Sequence, residues 1–279
     1  GGVGVNTPRG THVGVSKGGV AVGTRTRTGR PIFVGVHPGP DPFNYEYAAS
    51  ETQIHDDPNV ALFFLEGDLY TKGKTMNLDF SRGEEENQPA FIPRRVADSI
   101  PFSSEKLPEI LKEFSVKPDS KEAESMRKTL RNCEDKPARG EAKFCATSLE
   151  SMLDFSVSRL GKKVVAVATN AAGGKRTEYR VDGVRRRRSS GARVGKGLVV
   201  CHRQDYAYAV FLCHETSTTA AYEVDLTATD GGSKAGAVAV CHEDTAAWNP
   251  NHVAFRVLNV KPGSVPVCHF LPQDHIVWL

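Results

Sequence analysis

Four times this chain places a cysteine directly before a histidine: Cys201-His202, Cys213-His214, Cys241-His242 and Cys268-His269, in the pattern CH-x10-CH-x26-CH-x25-CH. Thiols and imidazoles form disulfides, ligate metals and carry protons, so the repeat is a candidate chemical site. The pairs sit at the ends of stretches such as YAYAVFLCH, GLVVCH and VPVCHF, whose β-branched and aromatic content predicts strands. Successive side chains on a strand point to opposite faces, so each pair sends its cysteine one way and its histidine the other. Cys213 then shares a face with Phe211 and Ala209, and His214 with Leu212 and Val210. A buried imidazole needs a partner, and four that recur in one dipeptide order point to one another through a metal.

The spacing excludes the tight C-x2-4-C and H-x3-5-H knuckles of structural zinc sites, and no HExxH or CxxC is present. Imidazole ligation without thiolate suits copper or zinc, and copper would bring redox chemistry. His252 and His275, on or beside late strands, are further candidates as ligands or proton carriers. Asp205, Glu243, Asp244 and Asp274 lie close enough to the motifs to fix imidazole tautomers, and Tyr206 and Tyr208 could line a cavity.

The cysteines divide the same way. Cys133 ends one predicted helix and Cys145 immediately precedes another, so a bridge between them closes a short loop worth roughly 2–4 kcal/mol. Cys201, Cys213, Cys241 and Cys268 can form two bridges in three ways, among which the sequence does not choose. With all six paired, the compartment is an oxidising one.

The elements that must position these groups are predicted as follows. VALFFLEGDL (60–69) is an apolar run ending in turn residues, and Met76, Leu78 and Phe80 alternate with polar residues as in a half-buried strand. DSKEAESMRKTLRNC reads as a helix capped by Asp119, with Ala123, Met126, Leu130 and Cys133 on one face. TSLESMLDFSVSRLG is a second helix, with a capping box in Thr147 and Glu150 and Gly161 at its end. KVVAVAT, GLVVCH, YAYAVFLCH, AAYEVDL, AGAVAVCH, HVAFRVLNV and VPVCHF read as strands. The fold class is therefore α+β, with early helices and a mostly antiparallel sheet system stapled by disulfides. Arg185 to Arg188 follow Asp182-Gly183 and are expected at the solvated tip of a long hairpin, where they could touch an acidic partner such as a wall polyuronide.

The chain has 279 residues, a formal net charge of +3, 39% hydrophobic and 25% charged residues, as in a soluble globular protein. Such a charge gives no argument for a nucleic-acid partner, and no apolar run is long enough for a membrane span. Two regions are expected: a Gly/Val/Pro-rich repeat arm over 1–58 and a globular domain over 59–279. In the arm GGVGVNT (1–7) returns as GGVAVGT (18–24), and composition predicts an extended, largely disordered segment. Its GVSKG (14–18) matches G-x-S-x-G but lacks the strand and helix that a nucleophile elbow requires. The first residue is Gly1 rather than Met, and the chain is expected to be a processed or trimmed product.

The fourfold motif, with LFFLEGDL, FIPRRVADSIPFSS, CATSLESMLDF and CHFLPQDHIVWL around it, resembles the plant BURP domain over about residues 60–279. The Gly-Val repeats resemble those of its dehydration-responsive branch. The resemblance implies secretion, to the apoplast, cell wall or vacuole, and a copper cofactor held by His202, His214, His242 and His269. Some members of the family are copper-dependent cyclases that crosslink Trp or Tyr side chains of peptides, often within their own N-terminal segment. Others are non-catalytic stress or wall proteins and partners of pectin-degrading enzymes. Residues 1–44 contain neither Trp nor Tyr, and the first candidates are Tyr45 and Tyr47, so a cyclase of this sequence would act on a separate peptide or on a substrate segment that has been trimmed away.

Overall fold

The structure is a computed structural model that describes residues 63–80, 89–137, 142–171, 177–187, 197–216, 218–246, 248 and 250–279, together with the backbone of four strands near the N-terminus. Two compact units are formed, one from Gly1–Tyr45 with Thr245–Val265, the other from Glu46–Asp244 with Pro266–Leu279. In the first, β1 (Val3–Asn6), β2 (His12–Ser16), β3 (Gly19–Arg25) and β4 (Pro31–Val36) form an antiparallel meander. The Val-Gly-Val repeats supply the period-two alternation of these strands. The rest of the arm, Tyr45 and Tyr47 included, lies outside the described residues, and so does the question of its disorder.

The second unit carries two sheets, and every strand pairing among its described residues is antiparallel. In chain order the elements are β5 (Phe64–Leu65), a 3-10 helix (Glu66–Tyr70), β6 (Thr75–Leu78), α1 (Arg94–Ala97), α2 (Leu107–Glu113), α3 (Lys121–Glu134), β7 (Ala142–Ala146) and α4 (Leu149–Leu160). They continue with β8 (Ala166–Val167), β9 (Asn170–Ala171), β10 (Thr177–Arg187), β11 (Leu198–Gln204), β12 (Val210–Thr216), β13 (Thr219–Ala228), β14 (Lys234–His242), β15 (Val267–Phe270) and β16 (Ile276–Trp278). The seven-stranded sheet runs β5-β15-β14-β13-β10-β6, with β9 on β14, and the five-stranded sheet runs β7-β12-β11-β16-β8. The α+β class is as the sequence predicts.

Alternation along the strands builds four apolar clusters. On one face of the seven-stranded sheet, Tyr222, Val224 and Leu226 of β13 pack with Ala237, Ala239 and Cys241 of β14. Its other face meets the five-stranded sheet through Ala221, Val238 and Val240 against Leu198, Val200 and Val277. Behind the five-stranded sheet, Met152 and Leu160 of α4 cover Val199, Cys201, Phe211 and Cys213. The turn between β11 and β12 plugs Tyr206 and Tyr208 into Met126 and Leu130 of α3 and Ile110 of α2. Each fully buried Val, Leu, Ile, Phe or Met among them contributes about 1.5–3 kcal/mol.

Several local predictions are corrected. The cap of α3 is Ser120, whose Oγ accepts from Ala123 N at 3.1 Å, rather than Asp119. The capping box of α4 uses Ser148 and Ser151 rather than Thr147 and Glu150, while Gly161 ends that helix at φ +102°. HVAFRVLNV is not a strand: Val253–Leu258 forms α5 in the first unit, capped by His252 and stopped by Asn259 in the left-handed region at φ 55°. An apolar run of this length fits either periodicity, and here the two caps decide. Arg185, Arg186 and Arg187 lie within β10 rather than at a hairpin tip, opposite Glu223, Tyr222 and Ala221, while Arg188 falls outside the described residues. Arg185 pairs with Asp225 at 3.0 Å, and Arg186 pairs with Glu243 while lying over the Tyr222 ring.

Candidate metal centre

The four cysteines of the motif bond across their own sheets. Cys201 and Cys213 are register partners on β11 and β12, and Cys241 and Cys268 on β14 and β15; both pairs form disulfides, as Cys133 and Cys145 do. Among the three pairings open to the sequence, register selects this one, because only cysteines directly opposite each other bring Cα atoms to 3.9 and 4.0 Å.

With each cysteine fixed on the outer face of its sheet, the following histidine must turn inward. His202 and His214 continue the face of Val200, and His242 and His269 that of Val240, so both pairs look into the layer between the sheets. The rings are 0%, 4%, 4% and 1% exposed in the order His202, His214, His242, His269, which keeps bulk water off all four. His202 and His214 stack at 5.2 Å and 17°, and His242 and His269 at 5.7 Å and 14°. Burial above all holds His202 well below the usual imidazole range, and the fields of His275, His214, His269 and His242 add to the fall, in that order. A neutral imidazole is the form that ligates metals.

Hydrogen bonds engage the ring nitrogens, and one of them sets a tautomer. His269 Nδ1 lies 3.1 Å from the carbonyl oxygen of Phe270, which only accepts, so Nδ1 donates and Nε2 is the lone-pair nitrogen. His242 Nδ1 contacts Thr219 Oγ1 at 3.1 Å. His202 Nε2 faces His214 Nε2 at 3.1 Å, within the ~2.8–3.3 Å spread of two nitrogens that each lie ~2.0 Å from one ion. Imidazoles oriented through the opposite ring nitrogen are the arrangement of histidine ligands in metal sites. The imidazole donor set and the Nδ1–H tautomer of His269 therefore suit an imidazole-bound metal. Among the described residues, however, no three His, Cys, Asp or Glu side chains form a convergent metal-binding group.

The remaining sequence candidates are placed as follows. His275 stands against His202, Nδ1 to Nδ1 at 3.0 Å, with the rings at 85°. His252 belongs to the other unit, where its Nδ1 accepts from Ala254 N at 3.2 Å and its ring packs with Trp248 and Phe255. Asp274 Oδ1 lies 3.8 Å from His275 Nε2, Glu243 is engaged by Arg186, and Asp205 accepts through its backbone from Thr129. Tyr206 and Tyr208 pack against each other at 5.2 Å in the cluster beneath α2 and α3. Neither the facing of His202 and His275 nor the pairing of the cysteines was visible in the motif spacing, since both depend on strand register.

Two antiparallel sheets facing each other across four strand-borne Cys-His pairs, with each cysteine bridged across its sheet, define a disulfide-stapled histidine-cluster protein. The model of the BURP domain matches residues 62–279, and the chain belongs to that family. It is 53% identical over 266 residues to BURP domain protein RD22 of Arabidopsis thaliana, covering 94% of this chain and 66% of that protein. It is 56% identical over 256 residues to BURP domain-containing protein 3 of Oryza sativa subsp. japonica, covering 90% of this chain and 57% of that protein. With Protein RAFTIN 1A of Triticum aestivum it shares 42% over 191 residues, 67% of this chain and 48% of that protein. The chain thus spans less than two thirds of the length of these relatives. Among the described residues no helix is long and apolar enough to cross a membrane, and the described cysteines are all paired, which suits an oxidising compartment.

Proposed function

We propose that this chain is a secreted plant protein of the apoplast, cell wall or vacuole that binds copper through His202, His214, His242 and His269. The reading is carried by one observation: two stacked histidine pairs from two facing sheets, buried together, with Nε2 as the acceptor nitrogen of His269 and the Nε2 atoms of His202 and His214 at 3.1 Å. Bound copper supplies one-electron redox chemistry with dioxygen as final oxidant. The protein's part is to hold the four imidazoles on strands stapled one residue away, to orient two of them through Phe270 and Thr219, and to exclude water. Such a centre suits the oxidative crosslinking of a Trp or Tyr side chain of a peptide.

The near-complete burial of all four rings favours a second reading, in which the histidines bind metal structurally or not at all. The protein is then a non-catalytic stress-response or wall component that works beside pectin or a pectin-degrading enzyme. Metal analysis and electron paramagnetic resonance on the oxidised protein separate the two. Stoichiometric Cu(II) with nitrogen hyperfine structure, lost in His214→Ala and in His242→Ala, supports the copper site. A two-hydrogen mass loss from a Trp- or Tyr-containing peptide would then establish catalysis. A folded protein that takes up no copper refutes the copper reading and leaves the wall or stress role.

A further inference from the structure

His275 lies outside the four Cys-His pairs, and sequence alone makes it one more ligand candidate. Its place is fixed by register: Ile276 of β16 is opposite Cys201 of β11, so the preceding residue comes alongside His202. The two rings meet edge to face, with centroids 4.9 Å apart. A contact of 3.0 Å between Nδ1 of His202 and Nδ1 of His275 needs one proton between them. The Asp274 carboxylate, which only accepts, lies 3.8 Å from His275 on the Nε2 side of the ring. It favours the proton on His275 Nε2, which makes His275 Nδ1 an acceptor. His202 must then supply the shared proton from its own Nδ1, and its Nε2, turned toward His214 at 3.1 Å, carries the lone pair.

We infer that His275, backed by Asp274, is a positioning residue that fixes the Nδ1–H tautomer of His202 and so aims its Nε2 lone pair at His214, rather than being a fifth ligand. The geometry separates the roles, since His275 meets the ring nitrogen of His202 opposite to the one that faces His214. As the orientation of a ligand, the inference rests on the copper reading above, but the tautomer itself does not. Metal proteins orient a ligating histidine through a partner on its other ring nitrogen, the place that His275 takes against His202 with Asp274 behind it.

The test uses the whole chain, first metal-free. Long-range nitrogen-proton NMR of the imidazoles reads the tautomers, and His202 is expected as Nδ1–H and His275 as Nε2–H. In His275→Phe, which keeps an aromatic ring but no acceptor, His202 should lose the fixed Nδ1–H signature. In His275→Gln, whose side-chain oxygen accepts, it should keep it. Titration with Cu(II) ions should then show affinity about 10–100-fold weaker in the Phe variant, largely restored in the Gln variant, with the nitrogen hyperfine pattern unchanged. His202 protonated on Nε2 in the wild type overturns the inference, as does a hyperfine pattern one nitrogen poorer in both variants, which would make His275 a ligand. Should the wild type bind no Cu(II) while His202 holds the expected tautomer, the copper reading fails and the positioning of His202 stands.

Discussion

Two of the three disulfides close loops of the same sequence separation, 12, yet only one of them joins strands that carry histidines. Removing Cys133–Cys145 or Cys201–Cys213 by paired Cys→Ala substitution relaxes the unfolded chain to the same extent, worth about 3 kcal/mol in the loop-entropy picture. For a protein of this size that is roughly 6–12 °C in melting temperature. Urea unfolding under non-reducing conditions should thus move both variants by similar amounts. Their effects on the site should differ. Cys201 and Cys213 are register partners one residue from His202 and His214, whereas Cys133–Cys145 ties the end of α3 to β7. Imidazole NMR of the folded protein, and Cu(II) affinity where copper binds, should change in the Cys201→Ala/Cys213→Ala variant and stay near wild type in the Cys133→Ala/Cys145→Ala variant. Equal perturbation of the imidazoles in both variants, or none in either, would refute the argument that the cross-strand bond holds the neighbouring histidines in place.

Three further outcomes are expected. Met126→Ala, at a side chain 0% exposed between α3 and the β11–β12 turn, should cost about 2–5 kcal/mol in urea unfolding. Tyr222→Phe should cost about 1–2 kcal/mol, because Tyr222 of β13 donates to Glu66 of the 3-10 helix, whereas Tyr206→Phe should be neutral or stabilising, since the buried Tyr206 hydroxyl has no hydrogen-bond partner among the described residues. His252 is pushed down to about 4 by burial, so between that value and the ordinary 6.5 the unfolded chain binds the extra proton. Its contribution to stability is therefore complete above about pH 6.5 and lost as pH falls toward 4, up to about 3 kcal/mol, and a His252→Gln variant should show a flatter acid limb in unfolding midpoints against pH.

Much of this architecture could be read in the residues. The face assignment of each Cys-His pair follows from the period of a strand alone, and Ala209, Phe211 and Cys213 do lie in one cluster. The helices of residues 121–134 and 149–160 announced themselves by periodicity, and their caps slipped by one residue because two competent oxygens stand side by side in Asp119-Ser120 and Thr147-Ser148. What escaped the sequence was long-range. The Arg185–Arg187 row looked like a loop because charge density suggests solvent, but Glu223 and Asp225 of β13 and Glu243 just past β14 supply its counter-charges. The pairing of four cysteines and the meeting of His275 with His202 are facts of register, which no local pattern encodes.

The bond between Cys241 and Cys268 has one more consequence. β14 and β15 are neighbours in the sheet, but between them the chain departs, and Thr245–Val265 is spent in the other compact unit. The disulfide is the clasp at the neck of that excursion. Cutting the backbone inside it would leave the two strands joined, and lengthening it would leave Cys241 opposite Cys268. The hairpin of β11 and β12 has no such slack, because its turn is wedged among the helices by Tyr206 and Tyr208. Both histidine pairs are thus stapled by a disulfide, but that of β11 and β12 is held also by a short, wedged bend, whereas that of β14 and β15 keeps its register through the bond whatever happens to the loop beyond.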